Sequence, residues 1–334
     1  MSLKRGIIHL KNPPSILGFS AVAGDMEQSG PLSGKFDKVF KGDMDGEKSF
    51  EKAESKMQLC AAEKAIEKAN LNPEDIEIAF AGDLLNQCIG TNYGLRELGI
   101  PFAGVYGACS TMAESIVISS VFVSSGQVER AIAVTSSHFC ASERQFRFPL
   151  EYGGQRPPTA QWTATAAGAV VLGKGQSKIK IKSVGVGRII DYKIKDMNNM
   201  GAAMAPAAVD TIVKFLEDTN TTPKDYDLIL TGDLGQVGSS ILSELMDMEG
   251  YPLEGRHSDC GMLLFDRKKQ DVHAGGSGCG CSAAVLCADV LDRMSKGNPK
   301  KVLFIATGAL MSPTSNQQGE SIPGVAHLVL LEGE

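Results

Sequence analysis

Short apolar runs closed by glycine alternate with longer helical patterns in the first half of the chain. The runs within 71–80 and 101–106 are too short for helices and predict buried strands. Glu51–Asn70 is rich in Glu, Lys and Ala with apolar residues at helical spacing, which predicts an amphipathic surface helix. Thr111–Ser125 is apolar nearly all round and predicts a helix buried between two sheets. Further strands are predicted at Ala131–Thr135, Ala166–Leu172 and Ile179–Val186.

Several blocks of the first half return in the second half, which indicates an internal duplication. The stretch PEDIEIAFAGDL at 73–84 returns as PKDYDLILTGDL at 223–234. GACSTMAES and RAIAVTS likewise match GCGCSAAVL and KVLFIAT, at a second and longer offset that is the same for both. The change of offset places an insertion in the second copy between Leu234 and Gly278.

The order of predicted elements gives the fold class. Strand, helix, strand, helix, strand and then two more strands, repeated after about residue 200, predict two α/β halves with largely parallel sheets. Stacked around shared buried helices, two such halves form a five-layered architecture. We divide the chain into halves at 1–190 and 191–334. The 334 residues, 43% of them hydrophobic and 22% charged, suffice for two halves with one large core.

Composition excludes several classes of protein. The net charge of −6 argues against a general nucleic-acid binder, because neutralising phosphates requires a basic surface. No run reaches the roughly 18 apolar residues of a spanning helix, and polar residues and prolines interrupt the start MSLKRGIIHLKNPPS too often for a secretory signal. We therefore expect a soluble, intracellular protein. The eight cysteines suit a reducing compartment, and Cys279-Gly280-Cys281 lacks the second ligand pair of a structural metal site.

Nucleophilic chemistry, if the chain has any, centres on Cys109. A strand through Val105 stops at Gly107, and Ser110 and Thr111 open the buried helix. The dipole of a helix N-terminus favours the thiolate, which is the nucleophilic form of cysteine. Free cysteine is also among the most buried residue types, so the position equally suits a small apolar side chain in a crowded turn. Spacing alone leaves both interpretations open.

The duplicated halves and the GACST turn together resemble the thiolase-like fold of ketoacyl synthases and thiolases. The resemblance implies that Cys109 would be acylated, with a His and an Asn or second Cys completing the site. In the ketoacyl synthase III branch the His follows the strand that corresponds to Asp227–Thr231, where this chain has Asp233. The family Asn falls where this chain has Gly280 or Cys279. A carboxylate beside a thiol raises its pKa and cannot donate to an oxyanion while ionised, so we expect no condensing activity.

A closer resemblance covers nearly the whole chain. It is carried by AGDLLNQ, YGACST, SERQFRFPLEYGGQRPPTA, GAAMAPAAVDTI, YDLILTGDL, HSDCG, AGGSGCGCSA and ATGALMSPTSNQQGESIP. These motifs resemble the stage V sporulation protein AD family of spore-forming bacteria. That family implies a non-enzymatic protein that binds dipicolinic acid, pyridine-2,6-dicarboxylate. It also implies a peripheral position at the spore inner membrane, where the protein helps other stage V sporulation A proteins move dipicolinate into the developing spore.

Dipicolinate is a flat ring with two carboxylates, so its pocket requires planar donors and an apolar slot. Arg144, Arg147 and Arg156 lie in a segment rich in Pro and Gly that, in thiolase-like folds, approaches the Cys pocket. Guanidinium groups bind carboxylates as bidentate forks. Glu143 and Glu151 occupy the same segment, so structural ion pairs are the alternative. Nearby aromatic residues could stack on the ring or anchor the loop: Phe146, Phe148 and Tyr152.

Three further polar residues are candidates for a role at the pocket. His138 follows a strand close to the Cys pocket and could donate to a carboxylate, with a buried structural histidine as the alternative. Asp83 and Asp233 follow glycine at equivalent strand ends of the two halves, where we expect each to cap the next helix. The alternative for Asp233 is that it helps to hold calcium carried with dipicolinate, although one carboxylate is too few unless ligand oxygens complete the site.

Three functional classes stay open: a dipicolinate-binding accessory protein, a thiolase-like acyltransferase or ketoacyl synthase acting on an acyl thioester, and a scaffold with a vestigial pocket. The whole-chain resemblance and the missing His and Asn favour the first class, with no metal or cofactor of the protein's own. The thiolase-like fold also implies a homodimer joined through the strand at 101–106. The candidate ligand-binding residues are Cys109, His138, Arg144, Arg147, Arg156 and Asp233.

Overall fold

The protein is described by a computed structural model that covers residues 6–146 and 155–334. Its strands are β1 Ile7–His9, β2 Ser15–Ala23, β3 Lys38–Val39, β4 Ile78–Gly82, β5 Phe102–Gly104, β6 Arg130–Ser137, β7 Trp162–Thr163, β8 Ala166–Gly173, β9 Ile179–Gly185, β10 Leu228–Thr231, β11 His257–Asp259, β12 Gly276–Ser277, β13 Lys301–Ala309 and β14 Gly324–Gly333. Its α-helices are α1 Asp25–Gln28, α2 Phe50–Lys68, α3 Ile89–Leu95, α4 Thr111–Ser125, α5 Phe139–Phe146, α6 Met200–Thr219, α7 Gly235–Met248, α8 Cys260–Leu264, α9 Cys279–Val285, α10 Asp292–Ser295 and α11 Pro313–Gln317.

The strand order shows the internal duplication directly. It is β5-β4-β6-β8-β2 in the first half and β11-β10-β13-β14-β9 in the second, so every strand of one half-sheet has a counterpart in the other. The strands that carry the repeated sequence blocks, β4 and β10, occupy the same place in the two halves. The half-sheets join where Ser15 of β2 pairs with Lys180 of β9. The two half-sheets therefore meet at β2 and β9, and the boundary at 190 stays a prediction.

Each half-sheet mixes strand directions. In the first half β4 is parallel to β5 and β6, whereas β8 is antiparallel to both β6 and β2. The second half repeats this arrangement. The expectation of largely parallel sheets is therefore wrong, because an apolar run indicates that a strand is buried and carries no information on its direction.

Helices form three layers around the two half-sheets. α4 lies in the central layer, where Met112 and Ile116 share one apolar cluster with Leu230 and Phe304 of the second half-sheet. α2 covers the outer face of the first half-sheet, and α6 and α7 cover the outer face of the second. The five-layered, thiolase-like arrangement of two α/β halves is thus confirmed.

The central helix is apolar enough to raise the question of a membrane span. Ala108–Ser125 is the one stretch of the described residues whose length and composition would allow it to cross a membrane. It packs instead between the two half-sheets, with 61% of the stretch buried. The hydrophobicity that predicted a central helix is accounted for by this packing.

One close backbone contact holds the turn before α4 against the second half. A Cβ atom added to Gly308 of β13 would lie 2.5 Å from the carbonyl oxygen of Gly107 and 3.2 Å from Oγ of Ser110. Only glycine permits this approach, because the first of these neighbours is backbone and cannot rotate away. The position of the turn that carries Cys109 therefore depends on Gly308.

We expect Gly308→Ala to lower the free energy of unfolding by about 1–3 kcal/mol, because the new methyl group must displace the turn. Urea denaturation measures the change. Gly104→Ala is the matched control, since its added Cβ would have as its nearest contact the ring of Phe102 at 3.3 Å, a side chain that can move. Equal stability of the two variants would show that β13 and the turn are not in close contact.

Candidate functional site

A cavity of about 350 Å³ lies where the two halves meet. Its apolar wall includes Leu84, Phe146, Met200, Leu310 and Met311. Its polar wall includes Tyr106, Cys109, Ser142, Glu143, Thr163, Ser277, Ser312 and Ser315. Because both halves contribute side chains, the cavity exists only when they are packed together.

Cys109 reaches the cavity wall from a tight turn. One turn of 3-10 helix, Ala108–Ser110, leads into α4. Ala108 has a φ of 53°, in the left-handed region that disfavours residues with a side chain. Ser110 closes the turn by donating a hydrogen bond to the carbonyl of Gly107 at 2.6 Å. The thiol lines the cavity although only 6% of the residue is exposed.

Asp233 lies behind Cys109 and is fully buried. Its Oδ2 accepts hydrogen bonds from the amide of Gly278 at 2.8 Å and the hydroxyl of Ser277 at 3.2 Å. Its Oδ1 accepts one from the hydroxyl of Thr307 at 3.0 Å. The Sγ of Cys109 lies 4.0 Å from the Oγ of Ser277, which connects the thiol to this carboxyl group. Burial outweighs these bonds and raises the pKa of Asp233 to about 6. At neutral pH most of the carboxyl group is therefore ionised.

These surroundings disfavour the thiolate of Cys109. Burial raises the pKa of the thiol well above its ordinary value, and the charge of Asp233 raises it further. The expected effect of the neighbouring carboxylate is confirmed. Of the two interpretations that the sequence left open, these surroundings favour a small buried side chain in a crowded turn. At neutral pH the thiol is a neutral hydrogen-bond donor.

The equivalent aspartates Asp83 and Asp233 have different partners. Asp83 accepts hydrogen bonds from two backbone amides, one just after β4 and one in the first turn of α3, both at 2.7 Å. In the second half, the amides at the start of α7 donate to Asp259 of β11 at 2.8 and 2.9 Å. Asp83 thus accepts an amide of the first turn of α3 without being its N-cap residue. The predicted cap by Asp233 is wrong, because the amides at the start of α7 donate to Asp259.

None of the five histidines of the chain, all within the described residues, lines the cavity. Nε2 of His138 lies 2.7 Å from the carbonyl oxygen of Asp43. The ring of His138 stacks on Phe50 with the centroids 5.7 Å apart, and burial lowers its pKa. These contacts are typical of a structural histidine, which was the alternative that the sequence left open.

Arg144 lies in α5 and not in a loop. It forms an ion pair with Glu51 and packs over the ring of Phe50 at 5.5 Å. Its side chain is 45% exposed and does not line the cavity. The structure therefore brings Arg144 into a structural ion pair, the alternative to ligand binding.

Of the other two predicted arginines, the structure describes Arg156 and not Arg147. Arg156 donates to the carbonyl oxygen of Asp271 at 2.7 Å and lies over the ring of Trp162 at 4.6 Å. It does not line the cavity. Arg147 lies outside the described residues, as do Phe148 and Tyr152, so its assignment to the ligand stays a prediction.

Ser142 and Glu143 line the cavity and were not predicted from the sequence. Helical spacing places both on one face of α5 with Phe146 and turns Arg144 away from that face. Oε1 of Glu143 accepts a hydrogen bond from the hydroxyl of Thr163 at 2.8 Å. The helical period of FCASERQF could have indicated that these residues share one face of a helix. The prolines and glycines that follow favoured the interpretation as a loop.

The model of the stage V sporulation protein AD family matches residues 4–332. The chain belongs to this family. It is also 46% identical over 322 residues to stage V sporulation protein AD of Bacillus subtilis (strain 168), a match that covers 96% of this chain and 95% of that protein. Membership of the stage V sporulation protein AD family gives the protein a role in the sporulating cell.

Solved structures of other proteins share the fold of this family member. 3-Oxoacyl-[acyl-carrier-protein] synthase III from Aquifex aeolicus VF5 is similar with a TM-score of 0.59 and 14% identity, covering 96% of this chain and 99% of that chain. A variant of OleA from Xanthomonas campestris gives a TM-score of 0.63 at 12% identity and covers 97% of this chain and 98% of that chain. At these identities the likeness shows the thiolase-like fold alone.

We expect iodoacetamide to alkylate Cys109 slowly near neutral pH, because the thiolate is the reactive form. Asp233→Asn should speed the reaction at a fixed mildly alkaline pH by roughly tenfold, since removing the negative charge lowers the thiol pKa and one unit of pKa changes the thiolate fraction tenfold. Peptide mass spectrometry measures both rates.

Cys140 provides the control within the same sample. Burial raises its pKa to about 11, and the charged groups that act on it do not include Asp233. Its alkylation rate should therefore be the same in both proteins. A Cys109 rate that Asp233→Asn leaves unchanged would contradict the electrostatic coupling of the two side chains.

Proposed function

We propose that this protein binds dipicolinic acid without chemical turnover and assists its uptake into the developing spore. The observation that carries the proposal is membership of the stage V sporulation protein AD family over residues 4–332, combined with a cavity of small-molecule size. Cavities that hold small ligands typically have volumes of about 300–1,000 Å³ and mostly apolar walls. The volume of about 350 Å³ is at the lower end of this range and suits a single aromatic ring.

The composition of the walls suits a flat aromatic acid. Phe146, Met200 and Met311 offer an aromatic ring and two thioethers, which pack favourably against aromatic ligands. The polar groups of the opposite wall offer hydrogen-bonding positions for acid oxygens. An apolar slot with a few polar groups is the arrangement that orients a ring bearing carboxyl substituents.

The charge of the ligand requires a cation, because burying an unpaired carboxylate is costly. Among the described residues, the cavity wall contains no Arg, Lys or His. The proposal therefore keeps Arg147, predicted from the sequence, as the guanidinium that pairs with a ligand carboxylate. Calcium enters the proposal as a companion of dipicolinate, whose oxygens would complete its coordination, and not as a resident ion of the protein.

Acyl transfer from an acyl thioester is the second candidate function. The strained turn at Cys109 favours it, since strained backbone is frequent at active sites. A nucleophilic thiol requires a low pKa or an adjacent base, whereas burial and Asp233 raise the pKa of Cys109. We therefore favour ligand binding over acyl transfer as the function. A stable acyl adduct on Cys109 after incubation with an acyl thioester would favour acyl transfer instead.

We expect dipicolinate to bind the folded protein in calorimetric titrations, with or without calcium. Arg147→Ala should weaken binding at least tenfold, about 1.4 kcal/mol, because one carboxylate loses its cation. Cys109→Trp should abolish binding by filling the cavity, whereas Cys109→Ala should have a small effect. Benzene-1,3-dicarboxylate, which lacks the ring nitrogen, serves as the ligand control.

Arg144→Ala is the matched protein control, because Arg144 pairs with Glu51 and does not line the cavity. Arg144→Ala should bind dipicolinate like the parent, so Arg144 is no longer proposed as a ligand-binding residue. Thermal melts exclude unfolding as a cause of any loss. Binding that Cys109→Trp does not affect would place the ligand outside this cavity.

We also propose that the protein is a homodimer that acts beside other stage V sporulation A proteins at the spore inner membrane. β5 is an edge strand of the sheet, and an edge strand with unpaired backbone groups can pair with a second copy across a two-fold axis. Phe102 on β5 is 37% exposed and Tyr106 just beyond it is 50% exposed. A partner strand would cover both.

Light scattering should give twice the chain mass of 35.4 kDa. Phe102→Asp should shift the protein towards the monomer, because a charge on the edge strand opposes strand pairing. Tyr192→Asp is the matched control, since Tyr192 is 63% exposed and lies outside β5. A monomer mass at all protein concentrations would rule out the dimer.

A further inference from the structure

The hydrogen-bond donors of the cavity wall are nearly all occupied within the protein. The thiol of Cys109 makes a long hydrogen bond with the hydroxyl of Ser277, with Sγ and Oγ 4.0 Å apart. Among the described residues of the wall, the hydroxyl donors that have protein acceptors are Tyr106 with the carbonyl of Leu84, Thr163 with Glu143, Ser277 with Asp233, Ser312 with Ser315, and Ser315 with the carbonyl of Ser312. A ligand that brought acceptor oxygens to these groups would compete with bonds already made.

Ser142 is the exception among those described residues. It lines the cavity, is 2% exposed, and its hydroxyl has no hydrogen-bond partner. A serine in a helix can bond back to the carbonyl four residues earlier, here that of His138. That carbonyl accepts the amide of Ser142 at 3.0 Å and does not receive its hydroxyl. Ser142 therefore presents an unused, desolvated donor at the cavity.

A buried hydroxyl without a partner is unfavourable compared with one that is hydrogen-bonded. A ligand oxygen that accepts from Ser142 would remove this deficit without breaking any bond within the protein. Phe146 lies one helical turn further along the same face of α5, about 5–6 Å away between Cβ atoms for residues at this spacing. Ser142 and Phe146 are therefore close enough to contact one small ligand together.

We infer that Ser142 is the residue that orients the bound ligand, its Oγ–H donating a hydrogen bond to a carboxyl oxygen of an aromatic acid whose ring packs against Phe146. The inference rests on the proposed function and names a donor that the sequence did not indicate. It also explains why α5 turns Ser142 inward and Arg144 outward. The ligand class is a planar aromatic acid, because Phe146 offers a ring for stacking and Ser142 a donor for an acid oxygen.

The test is calorimetric titration of dipicolinate into four folded proteins. Ser142→Ala should weaken binding about tenfold, the usual consequence of losing one hydrogen bond to a charged group. Ser142→Thr keeps the hydroxyl and should bind within a few-fold of the parent. Ser119→Ala is the matched control, because Ser119 is also a buried helical serine whose hydroxyl has no partner, but it does not line the cavity.

Stability without ligand separates an orienting role from a structural one. Since the hydroxyl of Ser142 makes no bond within the protein, Ser142→Ala should melt no lower than the parent, and dipicolinate should raise its melting temperature less than it raises that of the parent. A lower melting temperature of the free variant would assign Ser142 a structural role and overturn the inference.

The outcomes also distinguish this inference from the proposal on which it rests. If the parent binds dipicolinate and Ser142→Ala binds equally well, the orienting role is wrong and the proposed function stands. If Ser119→Ala weakens binding as much as Ser142→Ala, the effect is not local to the cavity and the inference is again wrong. If the parent does not bind dipicolinate, both the proposed function and the inference fail.

Discussion

One buried carboxylate, that of Asp233, holds together the elements that form the floor of the cavity. Asp233 is fully buried, and its carboxyl group accepts hydrogen bonds from Thr307 of β13, from Ser277 and from Gly278 at the start of α9. Burying a charge is costly unless several donors surround it, and burial raises the pKa of Asp233 to about 6 despite these donors. Its charge also raises the pKa of the Cys109 thiol in the first half, so the packing of the two halves and the state of the thiol are linked through this one group.

A second constraint comes from the single helix that borders the cavity on the first half. α5 has eight residues, enough for two turns, so its faces separate side chains sharply. Ser142 and Phe146 face the cavity, whereas Arg144 faces α2 and pairs with Glu51. Helical geometry therefore places Glu143 at the cavity wall and Arg144 against α2, and residue type alone does not decide these positions.

Features that depend on neighbouring residues in the sequence were predicted correctly, whereas features that depend on distant residues were not. The repeats, the central helix and the position of Cys109 are encoded in short contiguous patterns, and the structure confirms them. The roles of His138 and Asp233 depend on distant partners, Asp43 and Asp259, which no local pattern identifies. The prediction of strand direction was wrong for the same reason. Strand direction is fixed by the connections between strands and not by the hydrophobicity within them.

The two halves use their equivalent aspartates, Asp83 and Asp233, differently. Asp83 accepts hydrogen bonds from backbone amides of its own half, one of them in the first turn of α3. In the second half the amides at the start of α7 donate to Asp259 of β11, the strand that corresponds to β5. The carboxyl group of Asp233 accepts instead from Thr307, Ser277 and Gly278, close to Cys109. Two aspartates at equivalent positions thus have different partners, because in the second half another carboxylate binds the helix amides.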